Sequence, residues 1–109
     1  MTPEGRIKGK VKIVLDKAFP SEYPCYYEML STHGYGKPGL DFTCCMFGRF
    51  VSIETKAPGE WLTPRQRLTA LSILKSGGKV FIISGEEGLG ALQRWVTSTG
   101  AQCLSFPSP

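Results

Sequence analysis

The sequence predicts a single α/β domain in which a mixed β-sheet is flanked by helices. The 109 residues, 41% of them hydrophobic, suffice for one buried core and are too few for a second. Apolar residues recur at helical spacing in three segments, and aromatic and β-branched residues form short runs between them. The resulting order is helix, three strands, helix, strand and helix, which is typical of a mixed sheet packed between helices.

The first helix is predicted to begin at Pro3, with Thr2 as its cap, and to end before Pro20. Its apolar residues lie three and four positions apart, which indicates one buried face. A strand is expected in residues 24–30, which are rich in aromatic side chains. The glycine-rich residues 31–39 are expected to form a loop.

Residues 41–47 and 50–56 are predicted to form an antiparallel hairpin that turns at Gly48-Arg49. One side of this hairpin is polar, and its expected pairs are Phe47 with Phe50, Cys45 with Ser52, Thr43 with Glu54, and Asp41 with Lys56. The other side must cover the core because it is almost wholly apolar. It consists of Phe42, Cys44, Met46, Val51, Ile53 and Thr55.

The second half of the chain contains a helix from Thr63-Pro64 to Gly77-Gly78, with Leu68, Leu71 and Leu74 on one stripe. Residues 79–84 suit a buried strand, and residues 86–97 show helical spacing again. A last edge strand is expected in residues 101–106. We expect the domain to span residues 1–104, with residues 105–109 as a tail.

Composition narrows the class of protein. A net charge of +4, from 13 Lys and Arg against 9 Asp and Glu, favours a polyanionic partner. The sequence has no apolar run long enough for a bilayer and no signal peptide, so we expect a soluble, cytoplasmic protein. The cysteines match no zinc-binding spacing and are interpreted as small apolar residues of strands. They are Cys25, Cys44, Cys45 and Cys103.

The polar side of the hairpin has the chemistry of a metal site. Asp41 and Glu54 lie close enough to bind one ion, with Lys56 beside them. Mg²⁺ takes carboxylate oxygens, stabilises negative charge on a phosphate, and lowers the pKa of a water that Lys56 would orient or help to deprotonate. The same residue types are also ordinary on an exposed hairpin, where Asp41 and Lys56 would form a cross-strand ion pair. Spacing alone leaves both interpretations open.

Three linked motifs resolve this ambiguity. They are Gly36-Lys37-Pro38-Gly39-Leu40-Asp41, then Arg49-Phe50-Val51-Ser52-Ile53-Glu54-Thr55-Lys56-Ala57-Pro58-Gly59, and then Leu62-Thr63-Pro64-Arg65-Gln66. Together they resemble the VRR-NUC family, the virus-type replication-repair nuclease branch of the PD-(D/E)XK superfamily. That family has a Gly-x-Pro-Asp segment, a Glu-x-Lys strand followed by Ala-Pro-Gly, and a Ser/Thr-Pro-x-Gln helix start. This sequence departs from the pattern in one place, since Gly39-Leu40 separates Pro38 from Asp41.

The resemblance implies a restriction-endonuclease-like core of order αβββαβ and a Mg²⁺-dependent DNA endonuclease, in which Mn²⁺ would replace Mg²⁺. It gives Asp41, Glu54 and Lys56 catalytic roles, and it makes Asp41, Glu54 and Thr55 metal-binding positions. Short stand-alone members resemble phage homodimers that cut branched DNA, such as Holliday junctions. The alternatives are a catalytically inactive DNA-binding module on the same fold and a regulatory partner protein.

Two further candidate catalytic residues each have two interpretations. The family's first helix contributes an acid, and Glu4 is the candidate because it shares the stripe of Ile7 and Val11. A glutamate in the first turn is also favoured by the helix dipole alone. Gln66 matches an active-site glutamine of the family, but the four residues from Thr63 to Gln66 also fit a capping box.

Contacts to DNA are expected from basic residues near the scissile phosphate. Lys37, in the loop before Asp41, and Arg65 and Arg67, at the start of the second helix, are the nearest candidates. Lys8 and Lys12 of the first helix would extend this patch. Most surface cations are simply solvated, so each of these assignments is a hypothesis.

Overall fold

The computed structural model describes residues 2–18, 26–29 and 40–105, with only the backbone described for residues 18 and 100–105. Within these residues the elements follow one another in the order α1 β1 β2 β3 α2 β4 α3. The helices are α1 (Pro3–Ala18), α2 (Pro64–Lys75) and α3 (Glu86–Ser105). The strands are β1 (Tyr26–Met29), β2 (Phe42–Met46), β3 (Arg49–Thr55) and β4 (Lys79–Ile83). The predicted order αβββαβ is confirmed.

The strands form one mixed sheet in the order β1-β2-β3-β4. β1 pairs with β2, and β2 with β3, in antiparallel orientation, whereas β3 pairs with β4 in parallel. A parallel neighbour requires a crossover connection, and α2 provides it between β3 and β4. The sheet is therefore mixed, as predicted, and β3 lies inside it with a neighbour on each side.

The hairpin turns one residue earlier than predicted. Met46 pairs with Arg49, so Phe47 and Gly48 are the two turn residues, with φ angles of 52° and 77°. A tight turn of this kind needs left-handed backbone at both central positions, and glycine adopts it freely at the second. Arg49 instead belongs to β3, where its guanidinium lies 6.0 Å from the centre of the Trp95 ring.

This correction moves every pair by two residues but leaves each side chain on its predicted face. Thr43 is opposite Ser52 and Phe42 is opposite Ile53, which brings Asp41 opposite Glu54 rather than Lys56. The predicted apolar side is confirmed, since its members are all buried. Cys44 is buried and Cys45 is exposed, as expected for neighbours on opposite faces.

The hydrophobic core lies between this apolar side and two helices, α1 and α3. Side chains at helical spacing on each helix pack against the sheet. The buried set comprises Ile7, Val11 and Leu15 of α1, Phe42, Cys44 and Met46 of β2, Val51 and Ile53 of β3, Ile83 of β4, and Leu89, Leu92 and Val96 of α3. The opposite face of the sheet contacts α2 and carries the polar side chains.

Both ends of α2 are fixed by backbone hydrogen bonds. Thr63 caps its start, and Gly77, with a φ of 90°, ends it. The amides of Gly77 and Gly78 donate to the carbonyls of Leu74 and Ile73, which is the Schellman arrangement. The stripe of Leu68, Leu71 and Leu74 points away from the sheet, with 67%, 41% and 51% of each residue exposed.

The end of the chain differs from its prediction. The expected edge strand in residues 101–106 is wrong, because α3 continues without interruption to Ser105. The sequence contains no proline after Pro64 until Pro107, so nothing in it stops the helix earlier. Ser105, the first residue of the expected tail, thus ends a helix, and residues 106–109 lie outside the described part of the chain. None of the described helices is both long and apolar enough to span a membrane.

Candidate active site

Asp41 lies at the entrance to β2, where the register brings it beside β3. Its Oδ2 atom accepts two hydrogen bonds from Thr55, one from the amide at 2.9 Å and one from the hydroxyl at 2.7 Å. The Asp41 amide in turn donates to Oε1 of Glu54 at 3.0 Å. Because Thr55 of β3 binds Oδ2, the Asp41 carboxylate is held in one orientation, and Oδ1 points away from Thr55.

Glu54 is the most buried acid of the site, with 2% of the residue exposed. Its Oε2 atom accepts a hydrogen bond from Nε2 of Gln66 at 2.8 Å. Burial raises the pKa of Glu54 to about 7, and the neighbouring Asp41 charge contributes in the same direction. The Asp41 amide and Lys56 oppose this shift. Near neutral pH this carboxyl is therefore poised between its protonated and ionised forms.

Gln66 forms the predicted capping box and also contacts Glu54. Its side-chain Oε1 accepts a hydrogen bond from the backbone amide of Thr63 at 3.0 Å, and its backbone amide donates to Oγ1 of Thr63 at 3.2 Å. These two bonds are a capping box. The remaining side-chain nitrogen reaches Glu54. The start of α2 and the Glu54 carboxylate are thus fixed by one side chain.

Glu4 completes a group of three acids. The first turn of α1 places it so that one oxygen each of Glu4, Asp41 and Glu54 lie within 4.8 Å of one another. All three ligand atoms are carboxylate oxygens, the type that hard divalent ions such as Mg²⁺ and Mn²⁺ prefer. With two of these acids oriented by hydrogen bonds, the donor set fits a divalent cation.

Two lysines border the acids. Nζ of Lys56 is 3.6 Å from Oε2 of Glu54, and its side chain is only 10% exposed. Nζ of Lys8, from α1, is 3.4 Å from Oδ1 of Asp41, and its side chain is 34% exposed. The group of acids is thus partly neutralised from two sides, by the nearly buried amine of Lys56 and the more accessible amine of Lys8.

The structure brings together most of the residues proposed from sequence. Asp41, Glu54, Lys56, Glu4 and Gln66 all meet at one place, and Thr55 lies beside Asp41. Among the expected DNA contacts, Arg65, Arg67 and Lys12 are exposed on helix surfaces. Lys37 lies outside the described residues.

Two features of the site were missed. Thr55 was predicted to lie on the apolar side and to be a metal-binding position, but the hydrogen bonds that its amide and hydroxyl donate to Asp41 were not predicted, although a buried threonine hydroxyl needs a partner. Lys8 was regarded only as a DNA contact. Its spacing of four residues from Glu4 was the available signal, since residues four apart share one face of a helix.

Comparison with known proteins identifies the fold. A search of solved structures finds a chain described as "VRR_NUC domain", with a TM-score of 0.68 and 20% sequence identity. The match covers 86% of this chain and 97% of the other. The chain has the fold of a VRR_NUC domain. No family model and no curated protein matches the sequence.

At this level of identity the likeness establishes the VRR_NUC fold, and the chemistry depends on the residues themselves. The group formed by Glu4, Asp41 and Glu54, with Lys56 beside Glu54, is built from α1, the entrance to β2, and β3. Each of these segments is a helix or strand or directly adjoins one. Their convergence defines the candidate active site.

Proposed function

We propose that this chain is a member of the VRR-NUC family and a metal-dependent nuclease that hydrolyses phosphodiester bonds in DNA. The observation that carries the proposal is the convergence of Glu4, Asp41 and Glu54 within 4.8 Å on a VRR_NUC fold. Nζ of Lys56 lies 3.6 Å from Oε2 of Glu54. Three carboxylates this close together, with Glu54 buried, would destabilise the fold if they held nothing, so we assign them a ligand.

The ion is held by Asp41 and Glu54, with Glu4 as a third acid and Thr55 as an additional metal-binding position. We propose Mg²⁺, with Mn²⁺ able to replace it. A bound divalent ion supplies Lewis acidity, which offsets charge on the phosphate and lowers the pKa of water. Asp41 would offer Oδ1 to the ion, because Oδ2 already accepts two hydrogen bonds from Thr55.

Gln66 and Lys56 position the metal ligands, the phosphate and the attacking water. Gln66 fixes the Glu54 carboxylate through a 2.8 Å hydrogen bond, so the ligand geometry is set before substrate arrives. Lys56, enclosed beside Glu54, has an ammonium group that can donate to a phosphate oxygen and orient the attacking water. Because the Lys56 side chain is only 10% exposed, solvent screens its charge weakly, and the charge acts strongly on the transition state.

The substrate is proposed to be DNA, engaged by Arg65, Arg67, Lys8, Lys12 and Lys37 through its phosphates. The net charge of +4 supports a polyanionic partner. By resemblance to short VRR-NUC proteins, we further propose a cytoplasmic homodimer of the domain in residues 1–104, acting on branched or Holliday-junction DNA. A twofold dimer would present two sites to two strands.

A cleavage assay tests the enzyme. With Mg²⁺ and supercoiled, branched and single-stranded DNA, we expect cutting that Asp41→Ala and Lys56→Ala abolish while DNA binding is retained. Lys75→Ala, at the far end of α2, is the control for removing one positive charge. Binding without cutting by the unaltered protein would favour an inactive DNA-binding module. Cleavage that persists in excess EDTA would rule out the metal mechanism.

A further inference from the structure

Lys8 is placed where the candidate ion would be bound. It follows Glu4 by one helical turn, so both side chains lie on the face of α1 that meets Asp41. Nζ of Lys8 lies 3.4 Å from Oδ1 of Asp41. Oδ1 is the oxygen left available by Thr55, whose amide and hydroxyl both bind Oδ2. Lys8 and a divalent ion therefore compete for one atom.

The charges of the site favour binding of the ion over the pairing of Lys8 with Asp41. Glu4, Asp41 and Glu54 contribute three negative charges when all are ionised. A divalent ion and Lys56 supply three positive charges, which neutralises the site without Lys8. A further ammonium group would give the site an excess of positive charge and would be repelled by the ion at short range.

The two lysines differ in their freedom to leave. The Lys56 side chain is 10% exposed, whereas that of Lys8 is 34% exposed and lies on a surface helix. A long, flexible lysine side chain can rotate toward solvent while its helix stays in place. Of the two amines, Lys8 is the one that an arriving ion can displace.

We propose that Lys8 is an internal counter-cation that occupies Oδ1 of Asp41 until a divalent ion displaces it, and that the released amine then binds a DNA phosphate. Ion binding would thereby add a phosphate contact, so the two ligands are coupled through one side chain. This inference rests on the proposed function and deepens it, because it assigns a positioning role to a residue outside the motifs.

The first test measures binding of Mn²⁺ alone by titration calorimetry, without DNA. We expect Lys8→Met to bind Mn²⁺ about fivefold more tightly than the unaltered protein, since a partly exposed ion pair no longer competes. Lys8→Arg should restore the original affinity. Lys10→Met is the matched control, because it removes a lysine of the same helix that pairs with Glu86 at 2.7 Å, away from the acids.

The second test counts phosphate contacts from the salt dependence of DNA binding. In saturating Ca²⁺, with the DNA verified as intact, Lys8→Met should lower the slope of log affinity against log salt by about one. In EDTA the slope should be the same for both proteins, because Lys8 is then engaged with Asp41. An equal slope in Ca²⁺ would overturn the phosphate contact.

The outcomes separate this inference from the proposed function. If the unaltered protein binds Mn²⁺ and Lys8→Met binds it equally or less tightly, the competition is wrong and the nuclease proposal stands. If the unaltered protein binds no divalent ion, both proposals fall. Thermal melting of each variant verifies folding, and Lys8→Gln provides a second neutral replacement with the same expected result.

Discussion

Glu54 shows how one residue links the stability of the fold to its chemistry. It belongs to β3, its carboxylate contacts Gln66 of α2, and its pKa is raised from 4.5 to about 7, chiefly by burial. The folded protein therefore holds this proton more tightly than the unfolded chain does. Stability is greatest at low pH with respect to this group, and it is lost as pH rises from about 4.5 through 7.

Replacing Glu54 isolates this effect. Between pH 5 and pH 8, without divalent ions, we expect the free energy of unfolding to fall by up to roughly 3 kcal/mol through this group. Glu54→Gln mimics the protonated form and should flatten that dependence, as measured by urea denaturation at several pH values. Glu60→Gln, which alters an exposed acid, should leave the dependence unchanged. If Glu54→Gln leaves the pH dependence of the unfolding free energy unchanged, that dependence does not come from the raised pKa of Glu54.

At the scale of single residues, the sequence predicted which acids meet but not how they are held. Asp41 and Glu54 were placed on one face because side chains alternate along strands, and a two-residue error in register does not change that alternation. The double hydrogen bond from Thr55 and the pairing with Lys8 depend on side-chain rotamers and on the approach of α1. A local pattern shows at most that Lys8 shares a helix face with Glu4, and it does not show that either contact to Asp41 forms.

The elements are most constrained where α2 ends and β4 begins. A Cβ atom added to Gly78 would lie 2.6 Å from Cγ2 of Ile73, 3.1 Å from its carbonyl oxygen and 3.3 Å from Phe50. The backbone of this segment therefore touches the helix that precedes it and a side chain of the sheet. Only glycine fits this approach without displacement of its neighbours.

A pair of glycine substitutions tests this packing. Gly78→Ala should lower the free energy of unfolding by about 1–3 kcal/mol through overpacking. Gly9→Ala, in the exposed middle of α1 where nothing lies within 4 Å, should raise it by about 0.5–1 kcal/mol through helix propensity. Chemical denaturation of both variants gives the comparison. Equal effects of the same sign would show that the contact at Gly78 is unimportant.

Helices and strands were predictable to different degrees. The start and end of α2 were marked by Thr63, Pro64 and the two glycines, because capping chemistry is local. The last turns of α3 were mistaken for a strand, since a short apolar stretch after Gly100 fits either structure when read alone. The hairpin turn was displaced because Gly48 suits either of its two central positions.

At the scale of the whole molecule, α2 presents an apolar surface to solvent. Leu68 and Leu71 are 67% and 41% exposed on the side facing away from the sheet. Grouped exposed leucines on a small domain are typical of a surface that another protein covers. Such a surface supports the proposed homodimer, and it would place the contact beside Arg65 and Arg67.

Light scattering coupled to size-exclusion chromatography tests the dimer. We expect the unaltered chain to elute with the mass of a dimer, and Leu68→Lys with Leu71→Lys to convert it to a monomer. Lysine and leucine have similar helix propensities, so α2 itself should persist. Ile13→Lys, at a position of α1 that is 54% exposed, should remain dimeric. A monomeric unaltered protein would exclude the homodimer.

The overall architecture was the most predictable level, because it depends on the number, type and order of elements rather than on exact boundaries. A helix between two strands implied a crossover and hence a parallel pair, which β3 and β4 form. The outward direction of the leucine stripe was not predictable, since periodicity identifies an apolar face without revealing what it meets.

The three acids come from parts of the chain that only the complete fold unites, namely the first turn of α1, the entrance to β2, and the end of β3. The proposed ion would meet all three acids only in the folded chain, so the free energy of its binding would add to that of folding. At an ion concentration 100 times the dissociation constant the gain is about 2.7 kcal/mol. The concentration of free divalent ions would thus influence the lifetime of the protein as well as its activity.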